Sequence, residues 1–142
     1  MATVRTARTD WTGDLASGQG TIAFESSHLP STDVTWASRS QEANGRTSPE
    51  ELIAAAHSSC FSMALSADLA KNGTPPESIE TRADVTFDAA AGAVSGIRLT
   101  VRAVVPGLSE ADFVSAAEGA RTNCPVSKAL AGTDITLDAR LG

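Results

Sequence analysis

Between Ser48 and Gly73 the chain carries a single long helix signal, and every other element has to be fitted around it. Ser48 suits an N-cap, Pro49 suits the first helical position, and Glu51 three residues after Ser48 predicts a capping box. Gly73 supplies a C-terminal stop, and Pro75-Pro76 forbid continuation. Between these ends the residues are small or apolar, among them Ala54, Ala55, Ala56, Ser58, Ser59, Ser62, Ala64, Ser66 and Ala67. That composition predicts a central helix buried on most sides, with a surface that lets another backbone approach closely. Cys60 sits in its middle.

The remaining sequence supplies strands and two shorter helices. At 142 residues the expectation is one domain, 1–142, with N-terminal strands in 1–47, the central helix in 48–73, and strands and helices in 74–142. Strands are predicted at 5–11, 21–25 and 34–39, the last running through Val34, Trp36 and Arg39. Past the helix, Ala83, Val85 and Phe87 alternate with Asp84, Thr86 and Asp88, and Ile97, Leu99, Val101 and Ala103 alternate with Arg98, Thr100 and Arg102. Ser109 caps a helix with Phe113, Ala116, Ala117 and Ala120 on it, and Cys124-Pro125 opens a shorter one. Ile135, Leu137, Ala139 and Leu141 form the last strand. Alternation this clean means one wet face, so the class is α+β, with mainly antiparallel sheet packed on helices. With no Tyr, 2 Trp and 4 Phe, the core is aliphatic.

The formal net charge of −6 argues against nucleic acid and against an acidic membrane surface as partner. The opening Met1-Ala2-Thr3-Val4-Arg5 has no apolar run of the signal-peptide kind, and no unbroken run of 18 apolar residues predicts a membrane span, so the cytoplasm is the expected compartment. Two cysteines in such a chain point to reduced, catalytic or metal-binding thiols rather than a structural disulfide.

Taken residue by residue, the chemistry stays open. Cys124 lies at a helix start, where free N–H groups favour a thiolate; Cys60 lies mid-helix and needs a cation from elsewhere to become reactive. Both also fit as inert core residues. His57 shares a helical face with Cys60, which allows a metal site completed by Cys124 and His28, although no second closely spaced ligand pair supports it. The capping box occupies Glu51 and leaves Glu50 free, while Arg39 and Arg46 precede the helix.

Pro49-Glu50-Glu51-Leu52-Ile53, Ala55-Ala56-His57-Ser58-Ser59-Cys60-Phe61-Ser62-Met63-Ala64-Leu65 and Asn123-Cys124-Pro125-Val126-Ser127 together resemble the OsmC/Ohr family of osmotically inducible and organic-hydroperoxide-resistance proteins. Ala-Ala-His before Cys60 and Phe-Ser-Met after it resemble the OsmC branch. The resemblance implies a thiol-dependent peroxidase with no metal and no organic cofactor. Cys60 matches the peroxide-attacking cysteine, Cys124 the resolving one, Glu50 the family's glutamate, and Arg39 its arginine, with Arg46 as the fallback. It implies further that Cys60 is oxidised to a sulfenic acid, that a Cys60–Cys124 disulfide follows, and that a thiol or dithiol, a lipoylated protein among the candidates, regenerates the enzyme.

Distance adds an inference about assembly. Ten residues of straight helix put Glu50 roughly 15 Å from Cys60, too far for one arginine to serve both. Two such helices packed antiparallel about a two-fold axis bring Glu50 of one chain near Cys60 of the other. The expectation is an obligate homodimer with composite sites, in agreement with the intertwined dimer that the resemblance implies. Ile53, Phe61, Met63 and Leu65 are the expected apolar pocket residues, favouring organic hydroperoxides over hydrogen peroxide. The alternative reading is a stress-associated binding domain of the same fold without turnover.

Overall fold

The computed structural model describes all 142 residues. They form two compact units, Met1–Leu52 and Ile53–Gly142, and the boundary falls inside one helix.

In the first unit, β1 (Ala7–Thr12), β2 (Gln19–Phe24) and β3 (Thr32–Val34) make an antiparallel sheet in that order. The β1–β2 turn is locked by Asp14, whose carboxylate accepts the Ser17 N–H at 2.8 Å and the Ser17 hydroxyl at 2.6 Å. Trp11 pairs across the ladder with Gly20, and a Cβ at Gly20 would sit 2.9 Å from the indole. Glycine is therefore what lets this indole approach the β2 backbone so closely.

The sequence pattern predicted a strand through 34–39, but only Val34 belongs to one. The chain turns instead into α1 (Trp36–Ser40). Thr35 caps it, accepting the Ser38 N–H at 3.0 Å, while the Ser38 hydroxyl accepts the Thr35 N–H at 3.0 Å. Thr, Val and Trp favour strands by propensity, and this reciprocal cap overrides them. The consequence is functional, because α1 carries Arg39.

The long helix is α2 (Pro49–Lys71). Ser48 caps it as expected, accepting the Glu51 N–H at 3.1 Å. The return arm of the expected capping box is diverted, since the Glu51 carboxylate accepts the Thr47 hydroxyl at 2.6 Å. The helix ends in a Schellman turn: Gly73, at φ +87°, donates to the Ala70 carbonyl, and Thr74 donates to that of Leu69.

In the second unit, β4 (Ser78–Asp88) pairs antiparallel with β5 (Ala93–Val104), and β5 pairs with β6 (Ile135–Leu141) in parallel. The parallel pair is the exception to the antiparallel expectation. It requires a crossover, supplied by α3 (Glu110–Asn123) and α4 (Pro125–Ala129). Ser109 caps α3, accepting the Asp112 N–H at 3.2 Å.

The core lies between this sheet and the helices, and holds Phe61, Leu65, Leu69, Leu99, Val101, Phe113, Ala117 and Cys124. On α2 the buried stripe is His57, Phe61, Leu65 and Leu69, at four-residue spacing, whereas Ala55, Ala56, Ser59, Met63, Ala67 and Ala70 are exposed in the single chain. Burial on most sides is thus met on one face only. The exposed face is mostly small residues, and by length and composition alone α2 is apolar enough to cross a membrane, a test that core helices also pass. Its inner stripe packs in the core of the second unit.

Candidate active site

Two clusters of functional side chains stand out, one in each unit. In the first, Arg39 on α1 grips Glu50 in the first turn of α2. The guanidinium donates through Nε to Oε1 at 3.0 Å and Oε2 at 3.2 Å, and through Nη2 to Oε2 at 2.9 Å. This fork-to-fork geometry fixes the guanidinium plane, and the start of the helix favours the carboxylate. The Glu50 side chain is 8% exposed and that of Arg39 32%. Arg46, the other arginine considered, is exposed on the loop before Thr47.

An apolar groove of about 370 Å³ opens beside Arg39. Trp11, Leu15, Ile22, Trp36, Pro49 and Leu52 are among the residues that line it. Sequence reading missed this groove; the available signal was that both tryptophans of the chain flank the arginine's segment and its sheet. Of the pocket residues expected from sequence, Phe61 and Leu65 are fully buried core members, Ile53 packs partly buried against that core, and Met63 is 72% exposed on the outer face of α2. None of the four lines the groove.

In the second unit, Cys60 of α2 and Cys124 at the N-cap of α4 are both free thiols at the same core cluster, near enough to act on each other's ionisation although 64 residues separate them. Burial pushes the Cys60 thiol up, and the nearby Cys124 thiol pushes the same way, against a smaller opposing effect of the Val126 N–H. Burial also acts to raise Cys124. The nearby Cys60 thiol, the N–H groups of Ser127 and Val126 and the Ser127 hydroxyl outweigh it, and this thiol lies below its ordinary value. The acidic sulfur of the pair is therefore Cys124, as expected at a helix start. The ionisation expected of Cys60 is not supplied by its surroundings within this unit.

One turn before Cys60, His57 is fully buried, and its Nε2 lies 2.8 Å from the Ser127 hydroxyl, one turn after Cys124. Burial lowers the imidazole pKa, so the ring is neutral at pH 7. Ser127 was not singled out from sequence; the signal was its i,i+3 spacing from Cys124, mirroring that of His57 and Cys60. No three His, Cys, Asp or Glu side chains converge in a geometry that holds a metal, so the site considered for His57, Cys60, Cys124 and His28 is not assembled.

This fold and its paired thiols define a class of protein: the chain belongs to the OsmC-like family, whose model matches residues 42–138. Within that family, the protein called peroxiredoxin OsmC in Escherichia coli (strain K12) is 42% identical over 133 residues, spanning 92% of this chain and 92% of that one. Peroxiredoxin OsmC of Shigella flexneri matches to the same extent. Among solved structures, the organic hydroperoxide resistance protein OhrB of Bacillus subtilis has a TM-score of 0.68 at 25% identity, covering 95% of this chain and 98% of that one. An OsmC-like protein from Mycoplasma pneumoniae, at 11% identity, has the same fold, with a TM-score of 0.74 over 99% of each chain.

Proposed function

We propose that the protein is a thiol-dependent peroxidase that reduces organic hydroperoxides, and hydrogen peroxide less well. The observation that carries this reading is that Cys60 packs against the core cluster holding Cys124, near enough for each thiol to act on the other's ionisation. The names of the curated relatives support the same class.

The Cys60 thiolate attacks the terminal peroxide oxygen and the O–O bond breaks. The alkoxide leaves and takes from solvent the proton that Cys60 gave up on ionising, giving the alcohol and a sulfenic acid on Cys60. The Cys124 thiolate then attacks the Cys60 sulfur, the S–O bond breaks, and hydroxide leaves to become water. The Cys60–Cys124 disulfide is finally reduced by a dithiol through thiol–disulfide exchange, lipoylated proteins being one source. Both cysteines rest as thiols between cycles, which fits a reducing compartment such as the cytoplasm.

The Arg39 guanidinium, oriented by Glu50, is the cation that ionises Cys60 and polarises the peroxide as charge develops on the leaving oxygen. It acts across a homodimer interface, because ten residues of α2 separate Glu50 from Cys60 and the exposed small-residue face of α2 suits a close two-fold contact. The groove beside Arg39 holds the alkyl group, and its tryptophan and aliphatic lining favours organic over hydrogen peroxide.

Peroxide consumption by the wild type and Cys60→Ser tests this, with cumene hydroperoxide and hydrogen peroxide compared and dithiothreitol and dihydrolipoamide as reductants. Loss of turnover in Cys60→Ser and a preference for cumene hydroperoxide are expected; equal use of both peroxides contradicts the role given to the groove. Mixed dimers of Glu50→Ala and Cys60→Ser chains should regain activity. Inactive mixed dimers contradict the composite site. A binding domain without turnover would leave the peroxide untouched.

A further inference from the structure

Ser127 stands between the two motifs: its hydroxyl lies 2.8 Å from His57 Nε2, and it sits in the first turn of α4, three residues after Cys124, where it helps to lower that thiol's pKa. No main-chain carbonyl takes that hydroxyl, although a serine inside a helix commonly donates to one. His57 and Ser127 thus form a second buried link between the helical turns that carry the two cysteines.

The direction of this link follows from an orphan. His57 Nδ1 is buried and has no hydrogen-bond partner. A neutral imidazole carries one proton. Placed on Nδ1, it would be a buried donor with no acceptor, which folded proteins almost never tolerate. Placed on Nε2, it leaves Nδ1 as a bare lone pair, the lesser penalty. The Nε2–H then donates to the Ser127 oxygen, and the serine's own hydrogen is free to donate to the Cys124 sulfur.

We propose that His57 and Ser127 are positioning residues for the resolving step, His57 fixing the Ser127 hydroxyl as a hydrogen-bond donor that holds the Cys124 thiolate against Cys60. This rests on the peroxidase reading above. His57 takes up no proton in the step: Cys124 gives its proton to solvent on ionising, the thiolate displaces hydroxide from the sulfenic acid as the S–O bond breaks, and the hydroxide regains a proton from solvent to become water. The opposite tautomer would turn the serine toward His57 and remove the donor from the sulfur.

The test separates the two chemical steps. Reduced enzyme receives one equivalent of cumene hydroperoxide; Cys60 sulfenic acid is trapped with dimedone, and disulfide formation is followed by quenched flow. Ser127→Ala and His57→Gln should slow disulfide formation, relative to sulfenic acid formation, by about ten-fold or more. Ser127→Thr, which keeps the hydroxyl, should recover most of the rate, a rescue that lost packing alone does not explain. Variants that close the disulfide at the wild-type rate overturn the proposal.

A readout on the wild type does not depend on the variants folding. The chain has two histidines, so long-range nitrogen-15 spectra of the reduced protein can distinguish the His57 ring. They should show a neutral ring protonated at Nε2; a ring protonated at Nδ1 overturns the proposal. A wild-type Cys60 inert to cumene hydroperoxide would instead overturn the peroxidase reading, and with it the step on which His57 acts.

Discussion

Cutting the Arg39–Glu50 pair from either side should give unequal results, and the inequality follows from burial. In the single chain Glu50 is 8% exposed and Arg39 32%, so Arg39→Ala strands a carboxylate farther from water than the guanidinium that Glu50→Ala leaves. Arg39→Ala should therefore be the more destabilising change, although arginine is the more exposed partner. Fully exposed pairs couple by about 0.2–1 kcal/mol, and severing a fully buried one costs about 3–5 kcal/mol. With one partner buried and the other about a third exposed, a coupling of about 2 kcal/mol is expected, or about 5–8 °C in Tm for a chain of this size. The assay is a double-mutant cycle by urea unfolding at pH 7 and fixed protein concentration. The double variant should be more stable than the sum of the single losses implies, by that coupling. Losses that add to within about 0.3 kcal/mol would refute the reasoning, since independent sites behave that way.

Three further outcomes are expected. Cys124→Ser should let peroxide consume Cys60 but leave a sulfenic acid that dimedone traps and excess peroxide over-oxidises, read as added oxygen by mass spectrometry. His57 has a folded pKa below its ordinary 6.5, so the unfolded chain binds the proton more readily; the associated stability is complete above pH 6.5 and is lost as pH falls below it, and urea midpoints between pH 7.5 and 5.5 should fall less in His57→Gln than in wild type. Phe61→Ala removes a fully buried ring from the core of the second unit and should destabilise the chain by about 3–5 kcal/mol in the same urea assay.

What the sequence made legible was local or strongly periodic. The caps around α2, the alternation of β4 and β5 and the helix start at Cys124 could be read because each signal lies within a few residues. The nearness of Cys60 to Cys124 could not be read from spacing, since nothing in 64 intervening residues fixes their approach; it came from the resemblance of the two cysteine motifs. Other features were hidden for physical reasons. Arg39 was expected at the end of a strand, because the propensities of Thr35 and Trp36 outweighed a cap that depends on Ser38 folding back. The parallel pairing of β6 is a choice made by the crossover helices, and an alternating strand reads the same in either direction. The apolar groove draws on β1, β2, β3, α1 and the start of α2 at once, so no window of sequence contains it. Ser127 looked like any helical serine until His57 lay opposite it.

The central claim is that Cys60 and Cys124 form one redox pair. Intact mass and peptide mapping of the reduced chain after one equivalent of cumene hydroperoxide test it most directly. The account predicts a loss of two hydrogens per chain and a cross-link joining the Cys60 and Cys124 peptides, both reversed by dithiothreitol. An unchanged mass, or a lasting added oxygen on Cys60 beside a free Cys124, would contradict it.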